Sequence, residues 1–451
     1  MERATEQTRI ERLYIANKSS LSAYFFDSFK GKSDFKIGVE FEKLGINEKT
    51  LKAIGYFERG GTADILCNLI NRYDYNDITE NSYLLGLIGA DGTVTIEPGN
   101  QFEFSTTPEK LLKKLEEKFR IFNRQTSLLA EEYGVIWIGA GIQPLSTYQS
   151  IEMIPKERYA IMRDYLPQKG AKSPVMMMET ASIQTSIDFE SEEDAMRKLR
   201  LSLLISPFVT AMFANSPIRE GKLSGYKSFR ALSWLDTDND RCGLISEKIL
   251  EKGFGFDDYV DVLLNVPMFF IKRGGKLIHT KGMTFNEFIK KGFNGHKATL
   301  DDWYLHMTTF FPDVRLKGCL EIRTCDFQRN SLFMAFPALA KGIMYNNDAL
   351  LAVEELLNDI SWNDLCELRN AVPLNALQAE VNGHKVSDIA LELINIAETS
   401  LKSEEQDESG YLQNIKELVQ DDKSPADVVI ESWNSSWKGD IRKFIEYSRL
   451  E

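Results

Sequence analysis

The sequence predicts an α+β fold, and three observations predict it. Thr93–Ile96 and Phe102–Ser105 alternate apolar and polar residues around a Pro98-Gly99-Asn100 turn, the pattern of a β-hairpin. Phe35–Glu42 and Gly318–Arg323 alternate in the same way. Between such strands lie long stretches with helical spacing, of which Glu192–Ala214 is the strongest, acidic in its first turn and almost wholly apolar in its second half. The apolar strand faces suit packing on helices.

In chain order, residues 7–29 read as a helix. The strand Phe35–Glu42 follows, with Ile37, Val39 and Phe41 on one side and Glu40 and Glu42 on the other. Residues 62–73 read as a helix entered from Arg59-Gly60-Gly61-Thr62, which is either a phosphate-cradling loop or an ordinary helix-entry turn. In the hairpin, Val94, Ile96, Phe102 and Phe104 share one face, while Thr95, Glu97, Gln101 and Glu103 share the other. Then come a helix over 107–133, an apolar strand over 135–138, a helix over 157–165 and a strand Ser182–Phe189 with Gln184 on its polar side. Residues 215–245 read as a long polar loop holding Arg219, Arg230 and Arg241, and long irregular segments in compact domains tend to be functional. Met268–Lys272 and Lys276–Thr280 flank a Gly274-Gly275 turn. In Gly318–Arg323, Leu320 and Ile322 face one way, Glu321 and Arg323 the other. From Leu332 onward the pattern is helical, with 402–410 read as a solvated linker. The chain therefore divides into a core over 1–345 and a C-terminal helical extension over 346–451.

Three strand regions thus place Glu40, Glu42, Glu97, Glu103 and Glu321 on polar faces. If the strands join one antiparallel sheet, those faces coincide. Two like charges ~4 Å apart at an effective dielectric of about 20 repel by roughly 4 kcal/mol, so such a gathering requires cations. Oxygen ligands without clustered Cys or His suit Mg²⁺ or Mn²⁺, and Mg²⁺ shares its coordination with phosphates. Arg323, Arg230 and Arg241 would then meet the phosphates. Solvated strand faces remain the alternative reading of the same residues. A glycosidase would need only two of these acids and no arginines, and a non-catalytic metal-binding protein would keep the acids without turnover.

Composition narrows the field. The chain has 451 residues and a net charge of −13, from 54 basic and 67 acidic residues, which disfavours nucleic acid and anionic membranes as partners. Five scattered cysteines without CxxC spacing indicate neither a zinc site nor a disulfide framework. No apolar leader and no run of eighteen apolar residues are visible, so a cytoplasmic protein is expected.

Several blocks resemble the glutamate–cysteine ligases of the plant and proteobacterial type. They are Gly38–Lys43, Ile96–Ser105, Pro155–Arg163, Phe213–Pro217, Asp236–Arg241, Gly282–Phe285 and Phe311–Lys317, in the family's order. The resemblance implies a glutamine-synthetase-like core, an antiparallel sheet curved into a cup with helices outside. It implies that ATP phosphorylates the γ-carboxylate of glutamate and that the amine of cysteine displaces the phosphate. Glu40, Glu42, Glu97, Glu103 and Glu321 would hold the metals on the ATP phosphates, with Gln184 where bacterial relatives have a histidine ligand. Arg323 would offset charge on the transferred phosphoryl group. Arg230 or Arg241 would bind phosphate or a substrate carboxylate, and Arg163 and Glu179 fall near the substrate. The implied partners are small molecules, and the implied assembly is a monomer or homodimer.

Two departures stand out. Glu179 occupies a position where the plant enzymes have arginine, which leaves the identity of one or both amino acids open. The cysteines do not match the paired regulatory disulfides of the plant enzymes, so no redox switch is expected.

Overall fold

Eleven residues, Ile37–Asn47, form the strand β1 on which the sheet is built. A computed structural model describes Ile15 and residues 18–450. Of the helix expected over 7–29, Ser19–Phe26 is helical, and residues 7–14, 16 and 17 lie outside the described residues. The further strands are β2 (Asn76–Glu80), β3 (Tyr83–Ile88), β4 (Gly92–Ile96), β5 (Phe102–Thr106), β6 (Val135–Ile138), β7 (Ser182–Ile187), β8 (Val314–Leu316) and β9 (Leu320–Asp326). Their order is β8-β9-β7-β1-β5-β4-β3-β2, with β6 pairing the second half of β1. Every pairing in this sheet is antiparallel, and the sheet is not closed.

The register places the acids. Glu42 lies directly opposite Glu103 across β1 and β5, and Glu40 opposite Gln184 across β1 and β7. Glu321 pairs with Arg315 on one side and Ser186 on the other. Because alternate residues share a face, one polar surface runs from Arg315 to Thr95 while Ile37, Val39, Phe41, Phe102 and Phe104 are buried behind it. That buried side packs on helix α1 (Leu112–Tyr133), where Phe122 stacks against Phe104 at 4.4 Å and Phe119 against Phe41 at 4.3 Å.

Other helices frame the polar face. These are α2 (Glu157–Tyr165), α3 (Ser173–Glu179), α4 (Glu192–Met212) and α5 (Phe229–Leu235). The last lies inside the stretch read from sequence as loop. Ser228 caps it by accepting from the Ala231 amide, a start signal that precedes Phe-Arg-Ala-Leu-Ser-Trp-Leu. The expected linker over 402–410 is also more structured than read. Glu404 and Glu408 accept ion pairs from Lys341 at 2.8 and 2.6 Å, and Glu408 is buried. One buried apolar cluster runs from the N-terminal strands into the C-terminal helices, including α6 (Trp362–Asn375), which packs on α4 and α5.

Candidate active site

The β4–β5 hairpin is fixed by a turn that could hardly be closer to its support. A Cβ on Gly99 would come within 2.1 Å of the Met178 carbonyl oxygen on α3, so only glycine fits. Asn100 adopts φ +68, a conformation asparagine tolerates, and its side chain donates to the Glu152 carbonyl. Gln101 turns inward and donates to the Met177 and Thr180 carbonyls at 3.1 and 2.9 Å, so it serves as a staple. The hairpin thereby holds Glu97 and Glu103 toward a cavity of about 580 Å³ over the polar face of the sheet.

Glu40, Glu42, Glu97, Glu103, Gln184, Arg230 and Arg323 all line this cavity. The Glu42 carboxylate accepts from the Ser182 amide at 2.6 Å and from Gln184 Nε2 at 2.9 Å. Gln184 Oε1 in turn accepts from Arg323, so Gln184 bridges the acid to the guanidinium. Thr95 donates to Glu103 at 2.6 Å, and the Tyr159 hydroxyl donates to Glu97 at 3.1 Å.

The carboxylates are electrostatically frustrated. Burial, then the Glu97 charge, pushes Glu42 up to about 7 against the opposing pull of Arg230. Burial followed by the charges of Glu40, Glu97 and Glu42 holds Glu103 well above the usual carboxylate range. Glu40 is also raised, by burial and by Glu321. Glu321 is the opposite case. Burial pushes it up, but Arg315, Lys317 and Arg323 together outweigh burial and hold it below its ordinary range. Their ion pairs to it measure 2.7, 2.6 and 2.9 Å.

This donor set fits an oxygen-preferring divalent cation at Glu40, Glu42, Glu97 and Glu103, whose charges are poorly compensated by protein. Among the described residues no three His, Cys, Asp or Glu side chains enclose an ion by themselves. A cation here would take its remaining ligands from phosphate and water, as Mg²⁺ commonly does. Glu321, already matched by three cations beneath the cavity wall, fits that role poorly.

Three other expected residues do not reach the cavity. Arg241 is buried in an ion pair with Asp238 at 2.7 Å and donates to the Thr309 and Pro267 carbonyls, so its guanidinium is held inside the protein away from the cavity. Glu179 is buried and accepts a bidentate pair from Arg219 at 2.6 and 2.9 Å, so it points away from the cavity. Arg163 is 59% exposed and sits beside Asp164. In its place the same helix supplies Arg158, Tyr159 and Met162 to the cavity, joined by Lys156. Arg158, Tyr159 and Met162 share one helical face, and Arg163 lies at the exposed edge of it. Arg315 and Lys317 also line the cavity and were legible as the polar alternates of Val314 and Leu316. The Gly60-Gly61 loop is no phosphate cradle, since the amides of Gly60, Gly61 and Thr62 are spent on Asp64, Glu58 and Gly55.

An antiparallel sheet whose acidic face meets a wall of arginines and lysine defines an enzyme site built to handle clustered negative charge. The family model for glutamate–cysteine ligase family 2 (GCS2) matches residues 36–447, and the chain belongs to that family. It is similar to the chloroplastic glutamate–cysteine ligase B of Oryza sativa subsp. japonica, at 35% identity over 94% of this chain and 85% of that one. The chloroplastic glutamate–cysteine ligase of Arabidopsis thaliana is likewise 35% identical, over 93% of this chain and 80% of that one. Among solved structures, glutamate–cysteine ligase from Francisella tularensis in complex with AMP superposes with a TM-score of 0.54 at 13% identity, covering 92% of this chain and 89% of that one, which shows a shared fold. These relatives correct one expectation. The plant proteins are chloroplastic, which overturns the cytoplasmic placement read from the sequence. Among the described residues no helix is long and apolar enough to cross a membrane.

Proposed function

We propose that the chain is an ATP-dependent ligase that joins the γ-carboxylate of glutamate to the amine of cysteine through an acyl phosphate. Membership of the family supports this, and the observation that carries it is the sharing of one cavity by Glu40, Glu42, Glu97 and Glu103 with Arg230, Arg315, Lys317 and Arg323. The four glutamates would hold Mg²⁺ or Mn²⁺, which supplies neutralising charge to the ATP phosphates when bound. Gln184 keeps Glu42 and Arg323 in register beside it. Arg323 faces the charge that develops on the transferred phosphoryl group, and Arg230, lining the same wall, takes phosphate or a substrate carboxylate. No side chain acts as nucleophile in this scheme. The γ-carboxylate attacks the γ-phosphorus of ATP and releases ADP. The amine then attacks the acyl carbon, phosphate leaves, and the amine loses a proton. Positioning and electrostatic stabilisation supply most of the acceleration. The catalytic parts lie within 1–345, with 346–451 in support. Glu179 no longer favours a different substrate, because Arg219 neutralises it outside the cavity.

The test is phosphate release from ATP with glutamate and a panel of amines, with the product identified by mass spectrometry. A γ-glutamyl–cysteine product supports the reading. Phosphate release that never depends on an amino acid overturns it.

A further inference from the structure

The C-terminal helix α6 reaches the back of the arginine wall. Its Arg369 donates from Nε to Asp313 Oδ2 at 2.7 Å and from Nη2 to Oδ1 at 3.2 Å. Asp313 is not a cavity residue, but its carbonyl accepts from the Arg323 amide at 3.0 Å. That bond matters because β9 is irregular at this point. Ile322 pairs with Thr185 and Cys325 with Ile183, so two residues, Arg323 and Thr324, stand against the single Gln184. The bulge takes Arg323 out of the ladder with β7 and re-aims its side chain. The Asp313 carbonyl bond continues the β8–β9 ladder one rung past Val314 and Ile322, so it holds the bulge from the side away from β7.

The surroundings of Arg369 are shaped for this contact. Gly243 has φ +87, and a Cβ there would lie 2.7 Å from Arg369 Nη2. The Asp313 amide donates back to the Gly243 carbonyl at 2.8 Å, so the guanidinium, Gly243 and Asp313 form one closed contact. Arg369 and Asp313 also border a chamber of about 30 Å³ together with Arg230, Trp234 and Arg323, and the last three line the larger cavity as well. A second tie from α6 runs to Arg230. The Pro373 carbonyl accepts from the Ser228 amide at 3.0 Å, and Ser228 Oγ donates to Asp326, whose carboxylate lies 3.8 Å from Arg230.

We propose that Arg369 is a positioning residue for the ligase reaction: through Asp313 it fixes the bulge that aims Arg323 into the cavity. The inference rests on the ligase reading above. On this account Arg369 touches no substrate, and its loss lowers turnover without weakening ATP binding.

The experiment measures kcat and KM for ATP and glutamate in full-length wild type, Arg369→Gln, Arg369→Lys, Asp313→Asn and the Arg369→Gln/Asp313→Asn double variant, with thermal unfolding of each. Wild-type turnover comes first, and its absence overturns the ligase reading itself. Given turnover, kcat is expected to fall at least tenfold in Arg369→Gln, with KM for ATP within about twofold, and to recover in part in Arg369→Lys. The double variant is expected to be no slower than the slower single. Unchanged kcat in Arg369→Gln, a fall in ATP affinity matching the fall in kcat, or multiplicative effects in the double variant would each overturn the inference. Should Arg369→Gln lose folded protein, Asp313→Asn removes the carboxylate charge that Arg369 pairs with while preserving shape, and wild-type kcat in that variant overturns the inference equally.

Discussion

Glu103 and Glu321 carry the same functional group on neighbouring parts of one face, yet their surroundings ask opposite things of them. Glu103 is held above its usual range by burial and by three other acids, so replacing it with Gln removes a charge that the protein itself compensates poorly. Glu103→Gln is therefore expected to leave thermal unfolding unchanged or slightly improved while lowering kcat by about 100-fold or more, the scale of losing a principal electrostatic contact. Glu321→Gln strips the shared partner from Arg315, Lys317 and Arg323 and is expected to cost roughly 3–5 kcal/mol, read by denaturant unfolding. His306 gives a pH signature away from the site. Its Nε2–H donates to the Leu263 carbonyl at 2.9 Å, its ring stacks on Phe285, and burial lowers it to about 4. Between about 4 and 6.5 the unfolded chain binds the proton and the folded one does not, so stability from this group is present above 6.5 and lost as pH falls through 4. Replacing His306 with Gln is expected to flatten the dependence of melting temperature on pH across that window. At this scale the acids were legible because a strand's period assigns each residue to a face. Glu179 and Arg241 were not, because the groups that fix them inside the protein, Arg219 for the first and the Thr309 and Pro267 carbonyls for the second, are distant in sequence.

The hairpin of β4 and β5 shows how an element can be readable while its purpose is not. Its turn residues and alternation predict it without a structure, and β1 and β9 are similarly plain. Nothing in its own nine residues tells that Gly99 abuts the Met178 carbonyl or that Gln101 is consumed in holding α3. Gly99→Ala is expected to cost about 1–3 kcal/mol by overpacking against backbone and to raise KM for ATP by displacing Glu97, checked by unfolding and steady-state kinetics. The missed elements are instructive in a similar way. α5 opens on a plain cap at Ser228 but is short and follows Pro, Gly and Ser punctuation, so local signals of loop outweighed it. β2 and β3 lack clean alternation, since Gly86 sits within β3 against the Val94 carbonyl where the next strand passes closely.

Across the whole molecule, the apolar cluster does not stop near residue 345. Ile343, Val372, Leu393 and Ile394 belong to the same buried set as Phe41 and Ile322. A chain ending at residue 345 would expose the faces of α4 and Ala335–Met344 that meet α6 and the helix Val386–Lys402. It is expected to express as aggregate or to unfold without a cooperative transition, whereas the full chain melts as one unit; solubility and calorimetry distinguish these. Sequence patterning showed the C-terminal helices but not their targets, because helix periodicity reports that a face is apolar and is silent about what covers it.

The open sheet has one further implication, for behaviour in concentrated solution. Among the described residues β2 pairs only with β3, so its outer edge offers backbone groups to any passing strand. The edge reads Asn-Asp-Ile-Thr-Glu, short, polar and mostly exposed, with Asp77 free to repel a second copy and Glu80 drawn to the α2 amide of Glu157. Such charge at a bare edge is a guard against chains zipping together side by side. Asp77→Val would lift that guard, and light scattering during refolding would register the growth of strand-paired assemblies.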